Sequence, residues 1–216
     1  VAAGGGSILH FDDERFQVGP DSAGADPGPA CYRQDGPLTV TDCNVMLGKL
    51  QPDRFPAVFG PAGNEPLDDD SVARKFAQLA RAVDPLADRH DLQAIAEGYL
   101  TIAVENMAQA IKHISVQRGY DISRYTLCSF GGAGGQHACL VADSLGIEKI
   151  YCHPLAGVLS AYGIGLSAVS SMHEAAIGLP LGPQGIGALK HSMREQIETG
   201  RAELEQQGAD IQAITG

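Results

Sequence analysis

The sequence predicts an α/β fold built around one βαβ unit. Apolar, β-prone residues at 125–130 lead directly into the glycine turn GGAGG, a helical stretch follows at 136–145, and a second strand-like run occupies 147–152. A strand, a helix and a second strand in this order favour a parallel pair of strands joined by a right-handed crossover. Gly146 stands between the helix and the second strand, where a glycine is expected to end a helix.

Amphipathic helices are predicted on both sides of this unit. Apolar residues recur every three or four positions across 91–118, which is the spacing of a helix with one buried face. The same spacing predicts a shorter helix that ends near Val83 and is capped by Asp70 or Ser71. A last amphipathic helix is predicted at 186–207.

The beginning of the chain is predicted to form a β-hairpin followed by a long shaped loop. Strand-like runs at 7–11 and 15–18 flank a charged turn. Residues 19–44 are crowded with Gly, Pro, Asp and Ser, which predicts an ordered loop instead of an extended helix. Thr41 is the expected cap of a short helix through Leu50.

Three regions follow from this organisation. We expect a hairpin and a Gly/Pro-rich loop over residues 1–66. A helical segment and the βαβ core, which is the expected nucleotide-binding part, occupy 67–180. A C-terminal amphipathic helix is expected within 181–216.

Composition and charge argue against several classes of partner. The 216 residues carry 26 acidic and 15 basic side chains, a net charge of −11, which disfavours nucleic acid and anionic membranes. No apolar run reaches the roughly 20 residues of a membrane span. The five cysteines form no CxxC pair, which favours free thiols in a cytoplasmic protein over a disulfide framework or a zinc site. We predict no metal-ligand set within the chain.

The glycine turn of the βαβ unit is the strongest candidate for a ligand site. A turn between a strand and a helix presents backbone N–H groups beside the positive end of the helix dipole, where anions and nucleotides bind. Alternatively, its glycines only let the helix and the strand pack closely. The spacing fits neither the Rossmann fingerprint nor the Walker loop, so both interpretations stay open.

Two further groups carry weaker hypotheses. His137 follows the glycine turn in the first turn of the helix, where it is either a catalytic group or a capping and packing group. Gly5, Gly6 and Ser7 form either a structural turn that feeds the hairpin or a backbone contact to a substrate.

Four stretches resemble the hydantoinase A and 5-oxoprolinase family. They are AAGGGSI from Ala2, VGPDSAGADPGPACY from Val18, TVTDCNVMLGKL from Thr39 and SFGGAGGQHACLVADSLGI from Ser129. Two details, FPAVFGPAGNEPLD from Phe55 and the GQH that follows GGAG, resemble the oxoprolinase branch more than the hydantoinase or ketone carboxylase A subunits.

The resemblance implies the ATP-dependent opening of a cyclic amide, 5-oxo-L-proline, to L-glutamate. It also implies a lobe of an actin-like ATPase with ribonuclease H-like topology, and ATP and Mg²⁺ as cofactors of the full-length enzyme. FGGAGG is similar to the adenosine-contacting turn of the family, which carries over onto a run of five residues: Gly131, Gly132, Ala133, Gly134 and Gly135. The alternatives are an A-subunit fragment of an N-methylhydantoinase or ketone carboxylase, and a non-catalytic nucleotide-binding or assembly module.

Departures from the family pattern limit what we expect of the chain alone. The aspartate-led glycine loops that hold phosphate and metal in the family are not found in these 216 residues. We therefore expect a central fragment, inactive in isolation, whose partners are a cyclic amide substrate, the remainder of its own enzyme chain and a second copy in a homodimer. Asp42 is either a helix-capping carboxylate or a group that orients substrate or a metal-bound water. Ser22 is either a polar substrate contact or bonded to its own backbone.

Overall fold

The computed structural model describes residues 4–208 and divides the chain into two compact units, 1–159 and 160–216. Each unit is described by itself. The region boundaries expected near 66 and 180 stay predictions.

The first unit begins with an antiparallel hairpin of β1 (Ser7–Asp12) and β2 (Arg15–Ser22). The connecting residues Asp13 and Glu14 have φ values of 49° and 58°. Positive φ at both central positions is the mark of a tight hairpin turn whose twist matches that of the strands. The predicted hairpin is confirmed, and β2 runs beyond the predicted end of its strand.

The long loop after the hairpin leads into the short helix α1 (Val40–Met46). The N-cap is Thr39 and not the predicted Thr41, because Thr39 has an extended backbone and forms a capping box with Asp42. Asp42 stands at the third position of the helix, where its carboxylate bonds back to the N–H of Thr39. The helix ends at Met46, four residues before the predicted end.

Two longer helices contribute a large share of the core. The helix α2 (Asp69–Val83) is capped by Asp68, whose side chain accepts the N–H of Ser71. This cap lies two positions before Asp70 and three before Ser71, the two predicted caps. The helix α3 (Leu92–Val116) is capped by Asp91. Their inward faces and α1 bury a common set of side chains, including Val40, Val72, Phe76, Tyr99, Ala103 and Ala108.

The predicted βαβ unit is confirmed. Strands β3 (Thr126–Ser129) and β4 (Lys149–Cys152) pair in parallel, with Thr126 opposite Lys149, and α4 (Ala138–Leu145) connects them. The helix starts two residues later than predicted because Gly134–Gln136 form a single 3₁₀ turn first. Gly146 ends α4 in the left-handed conformation, with φ at 67°.

The second unit contains α6 (Pro183–Gln206), and α5 (Leu159–Leu166) lies at the boundary between the units. Ser171 donates a hydrogen bond to the Glu203 carboxylate, and His173 Nε2 lies 3.1 Å from the same oxygen. The same nitrogen, Nε2 of His173, contacts both Ser171 and Glu203. In a proton relay of Ser, His and Glu, one ring nitrogen would bind the serine and the other the carboxylate, so these three residues do not form one. No helix within residues 4–208 is both long and apolar enough to span a bilayer.

Candidate functional site

A cavity of about 300 Å³ lies between the two glycine turns of the first unit. Gly4 and Gly5 line one side, and Ala133, Gly134 and His137 line the other. Apolar side chains complete the wall, among them Met107, Ile111, Leu127, Phe130 and Val141. The fold therefore brings together two glycine motifs that lie more than 120 residues apart in the sequence.

The second glycine turn leaves open space beside its backbone. Gly131 has φ at 89°, a conformation that side chains rarely adopt, and its N–H donates to the carbonyl of Ala156 at 2.8 Å. A Cβ placed on Gly132 or Gly135 would meet no atom within 4 Å. A flat group can therefore approach the backbone of this turn without displacing protein atoms.

The first glycine turn is held closed from α1. The N–H and the hydroxyl of Thr41 both donate to the carbonyl of Gly5, each at 2.9 Å. A Cβ on Gly5 would lie 2.7 Å from Thr41 Oγ1 and 3.2 Å from the methyl group of Ala133. Glycine is required at this position because the two turns approach each other here.

Gly6, Ser7 and Ser22 are placed beside this turn and are not among the described residues that line the cavity. Ser7 is buried and its hydroxyl accepts the N–H of Gly4 at 3.1 Å. The Ser22 hydroxyl accepts the N–H of Gly24 at 3.3 Å, which is the local backbone bond weighed as its alternative. A Cβ on Gly6 would lie 3.0 Å from the same hydroxyl. Their roles as substrate contacts stay predictions.

His137 is the most deeply buried polar side chain among the described residues that line the cavity. It is 3% exposed, and neither ring nitrogen has a hydrogen-bond partner among the described residues. Burial lowers the pKa of the imidazole, and the positive charge of Lys49 lowers it further. The ring is therefore neutral near pH 7 and offers one donor and one acceptor to whatever enters the cavity.

Lowering the pH should reduce the free energy of unfolding, because the imidazole of His137 is buried in its neutral form. Because the pKa of His137 is lower in the folded state than the ordinary value near 6.5, the unfolded chain binds the proton more readily. The free energy of unfolding should fall as the pH drops below about 6.5, until the folded-state pKa is reached. Chemical denaturation from pH 7.5 to 5 measures this, with His137→Phe as the comparison. A wild-type slope equal to that of the variant would contradict the assignment.

Asp42 lies outside the cavity lining and joins α1 to the long loop. Its carboxylate is fully buried and accepts the N–H groups of Ala30, Cys31 and Thr39 and the hydroxyl of Thr39, at 2.8–3.1 Å. Burial raises the pKa of the carboxyl group, and the hydrogen bonds from Cys31 and Thr39 oppose that rise. This geometry fits the capping alternative, and a part in orienting substrate stays a prediction.

Asn44 and Gln136 were not identified from the sequence. Asn44 Nδ2 donates to Gln136 Oε1 at 2.7 Å and to the carbonyl of Val40 at 3.2 Å. The sequence shows only an asparagine within the short helical stretch TVTDCNVM, and its full burial becomes visible in the structure.

Two features of the described residues bear on what could bind at this site. The open glycine turn precedes the N-terminus of α4, an arrangement suited to nucleotides and anions. Within residues 4–208, no group of three or more His, Cys, Asp and Glu side chains could hold a metal ion.

The model of the hydantoinase/oxoprolinase family matches residues 1–173. The chain belongs to this family. A 5-oxoprolinase of Saccharomyces cerevisiae is 46% identical over 183 residues, which cover 84% of this chain and 14% of the yeast protein. The resemblance found in the sequence is confirmed, and the chain spans about one-seventh of the length of such relatives.

Solved structures of the family share the fold. The nucleotide-free structure of acetone carboxylase superposes with a TM-score of 0.77 at 24% identity, covering 100% of this chain and 31% of that one. The ATP-dependent caprolactamase of Pseudomonas jessenii gives a TM-score of 0.64 at 30% identity, covering 94% of this chain and 28% of the other. The predicted fold class, an α/β part of an actin-like ATPase lobe, is confirmed.

Proposed function

We propose that the chain is the nucleotide-contacting part of an ATP-dependent 5-oxoprolinase, which opens 5-oxo-L-proline to L-glutamate. The observation that carries the proposal is the open glycine turn at 131–135, whose Ala133 and Gly134 line one wall of a cavity that Gly4 and Gly5 line on the other side. The likeness to a yeast 5-oxoprolinase supports the substrate, and the likeness to an ATP-dependent caprolactamase supports the use of ATP on a cyclic amide.

The chemistry explains why such an enzyme needs ATP. An unstrained lactam is a poor electrophile, and ATP, when bound, would supply a phosphoryl group for its carbonyl oxygen. Water would then add to the activated carbon, the ring C–N bond would break, and a second water would hydrolyse the resulting acyl phosphate to L-glutamate and phosphate. The part of this chain is to bind and orient. The backbone of Gly131, Gly132, Ala133, Gly134 and Gly135 contacts the adenosine.

His137 is proposed to contribute a neutral hydrogen-bonding group to the site. Burial and the charge of Lys49 lower the pKa of its imidazole and so favour the uncharged form of the ring over a cation that would pair with phosphate. It suits an uncharged polar group, such as an amide N–H or carbonyl. Gly5, Gly6, Ser7 and Ser22 are proposed as backbone and hydroxyl contacts nearby.

Magnesium and the remaining catalytic groups are proposed to come from the rest of the whole protein. The described residues hold no acidic cluster suited to the ion. The chain alone should therefore show no turnover, and a homodimer stays a prediction from the resemblance.

A cytoplasmic location is proposed from the cysteines. All five are free, and Cys128, Cys139 and Cys152 are exposed. Exposed unpaired thiols are typical of proteins kept in a reducing compartment.

Replacing Gly132 with valine should weaken ATP binding without unfolding the protein. A Cβ on Gly132 would meet no atom within 4 Å, so the turn has room for the side chain, which we expect to obstruct a nucleotide that lies on this backbone. We expect the KM for ATP in the whole protein to rise about tenfold or more, which corresponds to about 1.4 kcal/mol. ADP release dependent on 5-oxoproline measures the KM, and thermal melting measures folding.

Gly98→Val is the matched control for this experiment. Gly98 is exposed on α3, and its Cβ would also meet no atom within 4 Å. It should leave the KM for ATP unchanged. An unchanged KM in a folded Gly132→Val variant would contradict the nucleotide assignment. Release of ADP with a hydantoin or caprolactam but not with 5-oxoproline would support the proposed use of ATP and contradict 5-oxoproline as the substrate.

A further inference from the structure

We propose that Asn44 is a positioning residue that sets the conformation of the glycine turn at 131–135 through Gln136. The proposal rests on the proposed function for its catalytic consequence, because it concerns the same turn. Its structural part stands on the geometry of α1 and can be tested without any nucleotide.

The contact joins two distant segments directly. Asn44 is fully buried on α1, and its Nδ2 lies 2.7 Å from Gln136 Oε1 across 92 residues of sequence. Gln136 is the last residue of the 3₁₀ turn that continues the glycine turn, and His137 follows it. Whatever holds Gln136 therefore restrains the glycines before it and the imidazole after it.

The hydrogen bonds of Asn44 indicate that its side-chain amide holds Gln136 in place and does not serve to stabilise the core. Asn44 Nδ2 donates at once to Gln136 Oε1 and to the carbonyl of Val40. Asn44 Oδ1 is buried and has no hydrogen-bond partner among the described residues. A buried acceptor without a partner costs stability, whereas an apolar side chain of the same shape would avoid that cost. Asn44 therefore stabilises the core less than an apolar side chain would, and its amide holds Gln136 by a hydrogen bond.

The helix that carries Asn44 is itself firmly anchored. Thr41 donates twice to the carbonyl of Gly5, and Asp42 accepts the N–H groups of Ala30 and Cys31. Three residues within one turn of α1 therefore bind three different segments of the chain. Asn44 extends this anchorage to the second glycine turn, where the open surroundings of Gly132 provide no packing restraint.

Hydrogen–deuterium exchange of the whole protein tests the restraint. Asn44→Leu and Gln136→Leu should each raise exchange of residues 130–138 about five- to tenfold, the effect of losing one hydrogen bond. The double variant should add little to the larger single effect, because both substitutions remove the same bond. Gln136→Glu keeps an acceptor oxygen for Asn44, so amide exchange at residues 130–138 should stay at the wild-type rate.

Asn106→Leu is the matched control. Asn106 lies on α3 and its Nδ2 is 3.5 Å from the carbonyl of Val18, so its replacement removes an amide contact of the same kind away from the turn. It should leave exchange at 130–138 unchanged. Equal increases across the whole protein with Asn44→Leu, or additive effects in the double variant, would overturn the proposal. Gln136, which is half-buried, supplies the test if Asn44→Leu does not fold.

The same variants separate this inference from the proposed function. With ATP turnover present, Asn44→Leu should raise the KM for ATP about tenfold and leave kcat nearly unchanged, because ground-state binding is lost. A kcat that falls equally with stability would indicate a structural role only and overturn the inference. If the wild-type protein releases no ADP, the proposed function is wrong, and the exchange at 130–138 still decides the role of Asn44.

Discussion

Replacing Asp42 with asparagine should lower the free energy of unfolding by about 2 kcal/mol, and replacing it with alanine by about 4 kcal/mol or more. Both carboxylate oxygens accept hydrogen bonds from buried donors, one from Cys31 and the other from Ala30 and Thr39. Asparagine has one acceptor oxygen, so its NH₂ group must face a backbone N–H. Alanine leaves all these donors unsatisfied.

The expectation differs from what capping alone would predict. Asparagine serves almost as well as aspartate at a helix cap, so a residue that only caps would tolerate the change. Asp91→Asn provides that control, because Asp91 is an exposed cap whose side chain accepts the N–H of Ala94. Urea denaturation of both variants measures the difference. Equal small losses would contradict the role of Asp42 as a joint between α1 and the loop.

Turnover separates the two hypotheses for Asp42. If Asp42 only connects α1 to the loop, the Asp42→Asn variant should lose activity only in proportion to the fraction of protein that is unfolded. A group that orients substrate should lose roughly a hundredfold in kcat in the fraction that is still folded. ADP release and thermal melting are to be measured on one preparation of Asp42→Asn.

Gly36→Ala should open the long loop and lower the free energy of unfolding by about 3 kcal/mol or more. A Cβ on Gly36 would lie 1.8 Å from the carbonyl oxygen of Gly28 and 2.9 Å from its carbon. Both atoms belong to the backbone, so no side-chain rotation relieves the overlap. The loop must separate at this point, and trypsin should then cut at Arg33.

Gly24→Ala is the control for this prediction. Gly24 lies in the same loop with φ at 62°, and its Cβ would come no closer than 3.9 Å to another atom. It should cost only the left-handed conformation, about 1 to 2 kcal/mol. Equal resistance to proteolysis in Gly36→Ala and the wild type would show that the loop is not closed by this contact.

The local sequence pattern predicts the helices and strands but not the contacts that connect them. The βαβ unit and the helix from Asp91 were predicted within a few residues, because a strand, a glycine turn and a periodic helix are each defined by neighbouring residues. The cap of α1 was placed at Thr41 instead of Thr39. The pattern Thr-x-x-Asp was available, but which threonine has an extended backbone depends on where Asp42 finds its partners.

The candidate site was predicted as separate pieces. The glycine turn near 131 and the one near Gly5 are both visible in the sequence, but nothing local indicates that they line one cavity. The burial of His137 and its lack of a partner likewise come from the packing of α4 against distant segments. The bond from Asn44 to Gln136 spans 92 residues and has no signature in spacing or periodicity.

The bonds made by α1 have a consequence for the order of folding. Asp42 and Ala30 are 12 residues apart, Thr41 and Gly5 are 36 apart, and Asn44 and Gln136 are 92 apart. Closing the longest of these loops costs about 2 kcal/mol more chain entropy than closing the shortest. We therefore expect the contact between Asn44 and Gln136 to form after the hairpin and the loop, so that the cavity acquires its shape late in folding. A molecule that binds this cavity selects the finished fold and raises its melting temperature by mass action.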